Sequence, residues 1–118
     1  MTKRYCLLLD LVDDDQLIRE YEDYHQKAWP EVIRSIRDSG ILSMEIYRFG
    51  NRLSMMMETT DEFSFSRKAE MDQTNPKVRE WEELMWKYQK ALPGAKEGEK
   101  WVLAEKIFDT KDEKYGNY

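Results

Sequence analysis

The sequence predicts an α+β domain of the ferredoxin-like, split β-α-β kind, with an antiparallel sheet covered by helices on one face, of the dimeric α/β-barrel type. Three observations carry that expectation. Hydrophobic periodicities follow one another as strand, helix pair, strand, strand, helix pair, strand along the 118 residues. The two central strand-like runs are separated only by Gly50-Asn51, a hairpin signal. Several strands carry apolar side chains at both parities, so helices on one side leave a second face that needs cover.

Taken in order, "RYCLLLDLV" at 4–12 is a dense apolar run, too short for an independent helix and typical of a buried strand. Tyr5, Leu7, Leu9 and Leu11 lie on one parity, Cys6, Leu8 and Val12 on the other. "DDDQ" follows, with Asp13 and Gln16 spaced as an N-cap pair. Leu17, Ile18, Tyr21, Tyr24, His25 and Ala28 then recur at spacings of three and four, one face of an amphipathic helix. Pro30 suits the first turn of a second helix, whose buried side is Val32, Ile33 and Ile36 and whose end is marked by Gly40.

"ILSMEIYRF" and "RLSMMMETT" form the hairpin, and Leu42, Met44 and Ile46 share the parity assigned to the helix-covered side. Thr59 and Glu62 match a capping box for a short helix containing Phe63, Phe65 and Ala69. Asn75 and Pro76 open the clearest helix, lined by Val78, Trp81, Leu84, Met85, Tyr88 and Leu92 and stopped by Pro93-Gly94. "WVLAEKIF" at 101–108 reads as a last strand. One domain over residues 1–110 and a polar tail, loose at its end, over 111–118 are therefore expected.

A formal charge of −5 and no basic stripe argue against nucleic acid, which needs clustered Lys and Arg. Cys6 is the only cysteine and His25 the only histidine, so a structural zinc site and an internal disulfide are set aside and no metal is expected. The N-terminal apolar run is too short to span a membrane and lacks a signal-peptide exit, which leaves a cytoplasmic protein as the expectation, with no membrane partner. Asp10, Glu45, Glu58 and Glu105 fall in predicted strands, where carboxylates are more often solvated or paired than catalytic. Packing of two sheets face to face would cover the second apolar face, so a homodimer is expected.

Tyr21 and His25 are one turn apart and project from the same side of the first helix, toward the sheet. Periodicity leaves two readings of His25 open. It is either a half-buried histidine satisfied by Tyr21 or a backbone carbonyl, or an acid–base group, since imidazole both gives and takes a proton near neutrality. Trp81 faces inward and Trp29 precedes Pro30 at the helix junction, both as packing would require. Aromatic walls beside hydrogen-bonding groups are also what an apolar sugar face requires.

"YEDYHQKAWPEV", then "DSGILSMEIY", "RLSMMMETTDEF" and "NPKVREWEELM", resemble the L-rhamnose mutarotase family over nearly the whole chain. The Y-x-x-x-H-x-x-x-W-P-E run is the most specific part. The resemblance implies a dimeric ferredoxin-like fold and interconversion of the α and β anomers of a 6-deoxyhexose with no cofactor. It implies His25 as the proton donor and Tyr21 as a substrate-binding residue. It aligns Met44 with a binding tyrosine, and Trp81 and Glu82 with a Trp-Trp pair. Met44 and Glu82 depart from that pattern, so L-rhamnose is the expected substrate with L-fucose, or another 6-deoxy sugar, as a serious competitor. A non-catalytic ligand-binding module and a cofactor-free monooxygenase are the rival expectations, because one fold hosts many activities.

Overall fold

The computed structural model describes residues 1–116. Its order is β1 (Thr2–Leu11), α1 (Asp15–Gln26), α2 (Pro30–Asp38), β2 (Ile41–Phe49), β3 (Arg52–Thr60), α3 (Phe65–Thr74), α4 (Pro76–Trp86), β4 (Gln89–Lys90) and β5 (Val102–Leu103), with a short 3-10 turn at Glu113–Tyr115. The sheet runs β2-β3-β1, and β4 and β5 both pair antiparallel with the far edge of β1. This is the ferredoxin-like antiparallel arrangement that the element order predicts.

Strand alternation sorts the side chains between two faces. Leu7, Leu9, Leu11, Leu53, Met55 and Met57 turn toward the helices and are buried. The core divides in two along the sheet. One cluster joins Leu11, Ile18, Tyr21, Val32, Leu53, Trp81, Met85 and Tyr88 between α1, α2, α4 and the sheet. The other joins Leu7, Ile41, Met55, Met57 and Phe63 toward α3. The opposite face of the sheet carries Tyr47, Met56 and the 91% exposed Phe49 with no helix over them. On that same face Asp10 is held by a two-point ion pair from Arg52, with Nε at 2.8 Å.

Several local expectations are corrected. Asp14, not Asp13, caps α1, its carboxylate accepting from the Leu17 N–H at 3.0 Å, and Gln16 bonds forward to Glu20. Thr59 is a fully buried strand residue and caps nothing. Ser64 caps α3, which leaves Phe63 ahead of the helix as a core residue. A β-bulge between Ile41 and Ser43 turns Leu42 out to 56% exposure and puts Ile41 in the core. Met44 and Ile46 stay on the helix side. α4 ends at Trp86 rather than Leu92, because the Tyr88 carbonyl accepts the Val12 N–H and residues 89–90 pair with β1. The last strand shortens from 101–108 to Val102–Leu103, followed by one further bond from the Ala104 N–H to the Cys6 carbonyl, so Glu105 lies outside any strand. The looseness expected at the end of the tail concerns residues 117–118, which lie outside the described residues. No described helix is long and apolar enough to cross a membrane.

Gly40 is required where α2 turns into β2. Its φ of +99° is a conformation L side chains rarely adopt, and a Cβ there would meet the Thr60 hydroxyl at 3.0 Å. Gly50 supplies the positive φ of the hairpin, +59°, with open space where a Cβ would sit, while the Asn51 amide donates to the Leu11 carbonyl.

Candidate active site

Three elements build the site. α1 presents Tyr21, Tyr24 and His25 toward the sheet, held at its start by the Asp14 cap. The residue before a proline is confined to extended backbone, so Trp29 sits at φ −66°, ψ 133° as the N-cap of α2, with Pro30 first in that helix. Asn75 caps α4 by accepting from the N–H groups of Lys77 and Val78, and the inward stripe Val78, Trp81, Met85 follows.

The rings of these residues meet. Tyr21 and His25 have centroids 4.4 Å apart, His25 and Trp81 5.5 Å, and Trp29 and Trp81 5.2 Å. Tyr24 lies edge-on to Trp81 at 6.4 Å and beside Tyr88 at 5.9 Å. His25 is therefore half-buried in an aromatic box. Beside it a groove of about 430 Å³ is lined by Glu20, Asp23, Tyr24, Lys27 and Trp29, though not by Tyr21 or His25 themselves.

His25 Nδ1 lies 2.8 Å from the Tyr21 carbonyl. A carbonyl oxygen only accepts, so Nδ1 carries the proton and Nε2 of the neutral ring carries the free lone pair. Burial pushes the imidazole below its usual pKa, with the Tyr21 carbonyl opposing. The ring is thus a neutral base near pH 7. Burial likewise pushes the Tyr21 phenol up, with Gln89 opposing, so the hydroxyl keeps its proton. The Gln89 amide Nε2 donates to that hydroxyl at 3.4 Å. Tyr88 donates to the Glu20 carboxylate at 3.0 Å. Burial first, then Glu20, push Tyr88 up to about 12.

Of the residues expected from sequence, Tyr21, His25, Trp29 and Trp81 come together. Met44 pairs across the hairpin with Met57 and packs into the α3-side cluster. Ile46, two residues on, reaches both clusters, as do Ile36 and Trp101. Glu82 follows Trp81 but turns toward α3. Burial raises its carboxyl, Asp72 raises it further, and Lys100 and Lys68 act against them. Gln89, Tyr88 and Glu20 were missed by sequence reasoning. Residues 88–92 continue a helical pattern in strong helix formers, so nothing local marks Gln89 as a strand residue beside Tyr21. Chemically the box offers one group that takes a proton, one that gives a hydrogen bond, and an aromatic wall.

Comparison with known proteins is consistent across sequence and structure. A family described as L-rhamnose mutarotase matches residues 4–110. An L-fucose mutarotase of Xanthomonas campestris pv. campestris is 45% identical over 108 residues, covering 90% of this chain and 86% of its own. A UPF0734 protein of Dictyostelium discoideum is 35% identical over 114 residues, covering 91% of this chain and 89% of its own. Among solved structures, an L-rhamnose mutarotase from Formosa agariphila superposes with a TM-score of 0.67 at 17% identity, covering 91% of this chain and 97% of that one. A dimeric ferredoxin-like protein from an uncultured marine organism gives 0.51 at 11% identity, covering 90% of each chain. Those two likenesses bear on the fold.

Proposed function

This chain belongs to the L-rhamnose mutarotase family, and on that premise we propose that it is a carbohydrate isomerase that interconverts the α and β anomers of a 6-deoxyhexose, with His25 as its acid–base group. The single observation that carries the assignment of His25 is its Nδ1–H locked on the Tyr21 carbonyl inside an aromatic box. That bond leaves Nε2 as the one basic nitrogen of a ring that burial keeps neutral. Family membership favours mutarotation over a ligand-binding module or a cofactor-free monooxygenase.

Ring opening moves one proton from the anomeric hydroxyl to the ring oxygen while the bond from C1 to the ring oxygen breaks and C1 becomes an aldehyde. Both oxygens sit on C1, so one imidazole nitrogen reaches both. His25 Nε2 takes the anomeric proton, the C1–ring-oxygen bond cleaves, and the imidazolium returns the proton to the alkoxide left behind. Tyr21 donates a hydrogen bond to that oxygen as charge develops. Rotation about C1–C2 and the reverse steps close the ring on the other face. Positioned acid–base catalysis contributes about 10²–10⁴-fold, enough for a reaction that already proceeds in water. Trp81 and Trp29 supply the wall for the apolar face of the sugar.

L-Fucose is the favoured substrate, with L-rhamnose second. The 45% identical relative is an L-fucose mutarotase, and Met44 and Glu82 replace an expected phenol and indole. Met44 offers a thioether and Glu82 a carboxylate in their place, both set toward α3 rather than inside the box of Tyr21, His25 and Trp81. The active form is a homodimer that covers Tyr47, Phe49 and Met56 of the open sheet face. The test is anomer-exchange NMR with a panel of 6-deoxyhexoses. Exchange cross-peaks that grow with enzyme, most strongly for L-fucose, are expected, and none above the buffer rate for any sugar would overturn the proposal.

A further inference from the structure

Within the described residues, the Gln89 side-chain oxygen is the one buried side-chain polar atom without a hydrogen-bond partner. A native fold rarely leaves such a group unpaired, because burying it costs free energy that an apolar side chain would not. Its position is specific. Gln89 is fixed in β4 opposite Leu11, and its amide nitrogen donates to the hydroxyl of Tyr21, whose ring lies tilted against His25. One end of the amide is thus tied to the proposed catalytic pair and the other end faces no protein partner.

We propose that Gln89 is a specificity-determining residue of this site: its unpaired Oε1 accepts a hydrogen bond from one ring hydroxyl of the sugar, while its Nε2 occupies a lone pair of the Tyr21 oxygen. The second role matters for the first. A phenol whose oxygen already accepts from an amide turns its own O–H toward the substrate, so one side chain both aims the donor and reads a neighbouring hydroxyl. Sites built to pair a substrate hydroxyl reject analogues that lack it, because the site's own polar group is then stranded. The inference rests on the mutarotase reading of the same site.

The experiment compares wild type and Gln89→Met by anomer-exchange NMR on L-fucose and on analogues each lacking one ring hydroxyl, alongside thermal unfolding of the free protein. Wild type should exchange one analogue about 10-fold or more slowly than L-fucose, the worth of one buried hydrogen bond. Gln89→Met should lose about that factor on L-fucose and lose the discrimination for that one analogue only. Its melting temperature should stay unchanged or rise, since an unpaired buried atom is gone and the bond to Tyr21 is long. Gln89→Leu gives the same readout should Met disturb the fold. Equal exchange by wild type and variant on every sugar overturns the inference and leaves the mutarotase reading standing. So does a uniform loss on all sugars with a lowered melting temperature, the mark of a purely structural role. A wild type that exchanges no 6-deoxyhexose overturns both.

Discussion

Tyr21→Phe separates what the Tyr21 hydroxyl does for the fold from what it does for the reaction. The ring is 4% exposed and packs in the α1–α4 cluster, and phenylalanine keeps all of that packing. Only the hydroxyl goes. Its protein partner is Gln89 Nε2 at 3.4 Å, a long bond, so its own contribution is small. Its removal, however, leaves both ends of a buried amide unpaired, because Gln89 Oε1 has no partner to begin with. A newly stranded buried group costs about 1–3 kcal/mol. The length of the bond puts this case near the low end, about 1 kcal/mol, or a fall of about 3–5 °C in melting temperature for a domain of this size. In the Tyr21→Phe, Gln89→Met double variant both partners are replaced by apolar groups, and most of that loss should return. Activity should not return with it. A hydrogen bond to a developing alkoxide contributes about 1.5–3 kcal/mol, or about 10- to 150-fold in rate, and both variants lack it. Differential scanning fluorimetry and anomer-exchange NMR on the three proteins supply the data. Wild-type exchange in Tyr21→Phe, or exchange that recovers together with stability in the double variant, would refute the reasoning.

Three further outcomes are expected. Because burial holds His25 below the ordinary imidazole value of 6.5, the acid limb of kcat/KM should lie below pH 6.5, and a limb at or above that value would contradict the neutral-base assignment. The same shift has a stability sign: the unfolded chain takes up this proton near pH 6.5 and the folded chain only at lower pH, so His25's contribution to stability is complete above pH 6.5 and is lost as pH falls below it. Met44→Tyr should move the L-fucose to L-rhamnose rate ratio toward L-rhamnose by about 2- to 10-fold, the range of one neutral hydrogen bond, and an unchanged ratio would show that a side chain at position 44 does not reach the sugar. Light scattering at micromolar concentration should give a dimer mass for wild type and a monomer mass for Phe49→Asp on the open sheet face, and a monomeric wild type would count against the assembly.

Sequence periodicity carries the fold where the physics is local. The Gly50-Asn51 hairpin, the α2 start at Pro30 and the Asn75 cap of α4 each rest on backbone preferences of one or two residues, and each appears as expected. It fails where a long-range bond decides. α4 has helix formers to Leu92, yet the Val12 N–H captures the Tyr88 carbonyl and pulls Gln89 into the sheet. The last strand stops after two paired residues, and the exposed Ile107 and Phe108 beyond it were expected to pair. For the site, the i, i+4 spacing of Tyr21 and His25 was enough to place both on one face, and the contact of their tilted rings follows from it. The meeting of Trp81 and Trp29 with them depends on how α4 crosses α1 and α2, which spacing within one helix does not encode. The pairing of Gln89 with Tyr21 joins residues 68 apart in the chain and leaves no local trace.

The most direct test of the account is anomer-exchange NMR of His25→Asn beside wild type, with L-fucose as substrate and circular dichroism to check the fold. Asparagine keeps a side chain able to donate to the Tyr21 carbonyl but removes the basic nitrogen that Nε2 provides. A folded protein of wild-type assembly is expected, with exchange lowered by about 10²–10⁴-fold, toward the uncatalysed rate. A folded His25→Asn protein that exchanges anomers at the wild-type rate would contradict it.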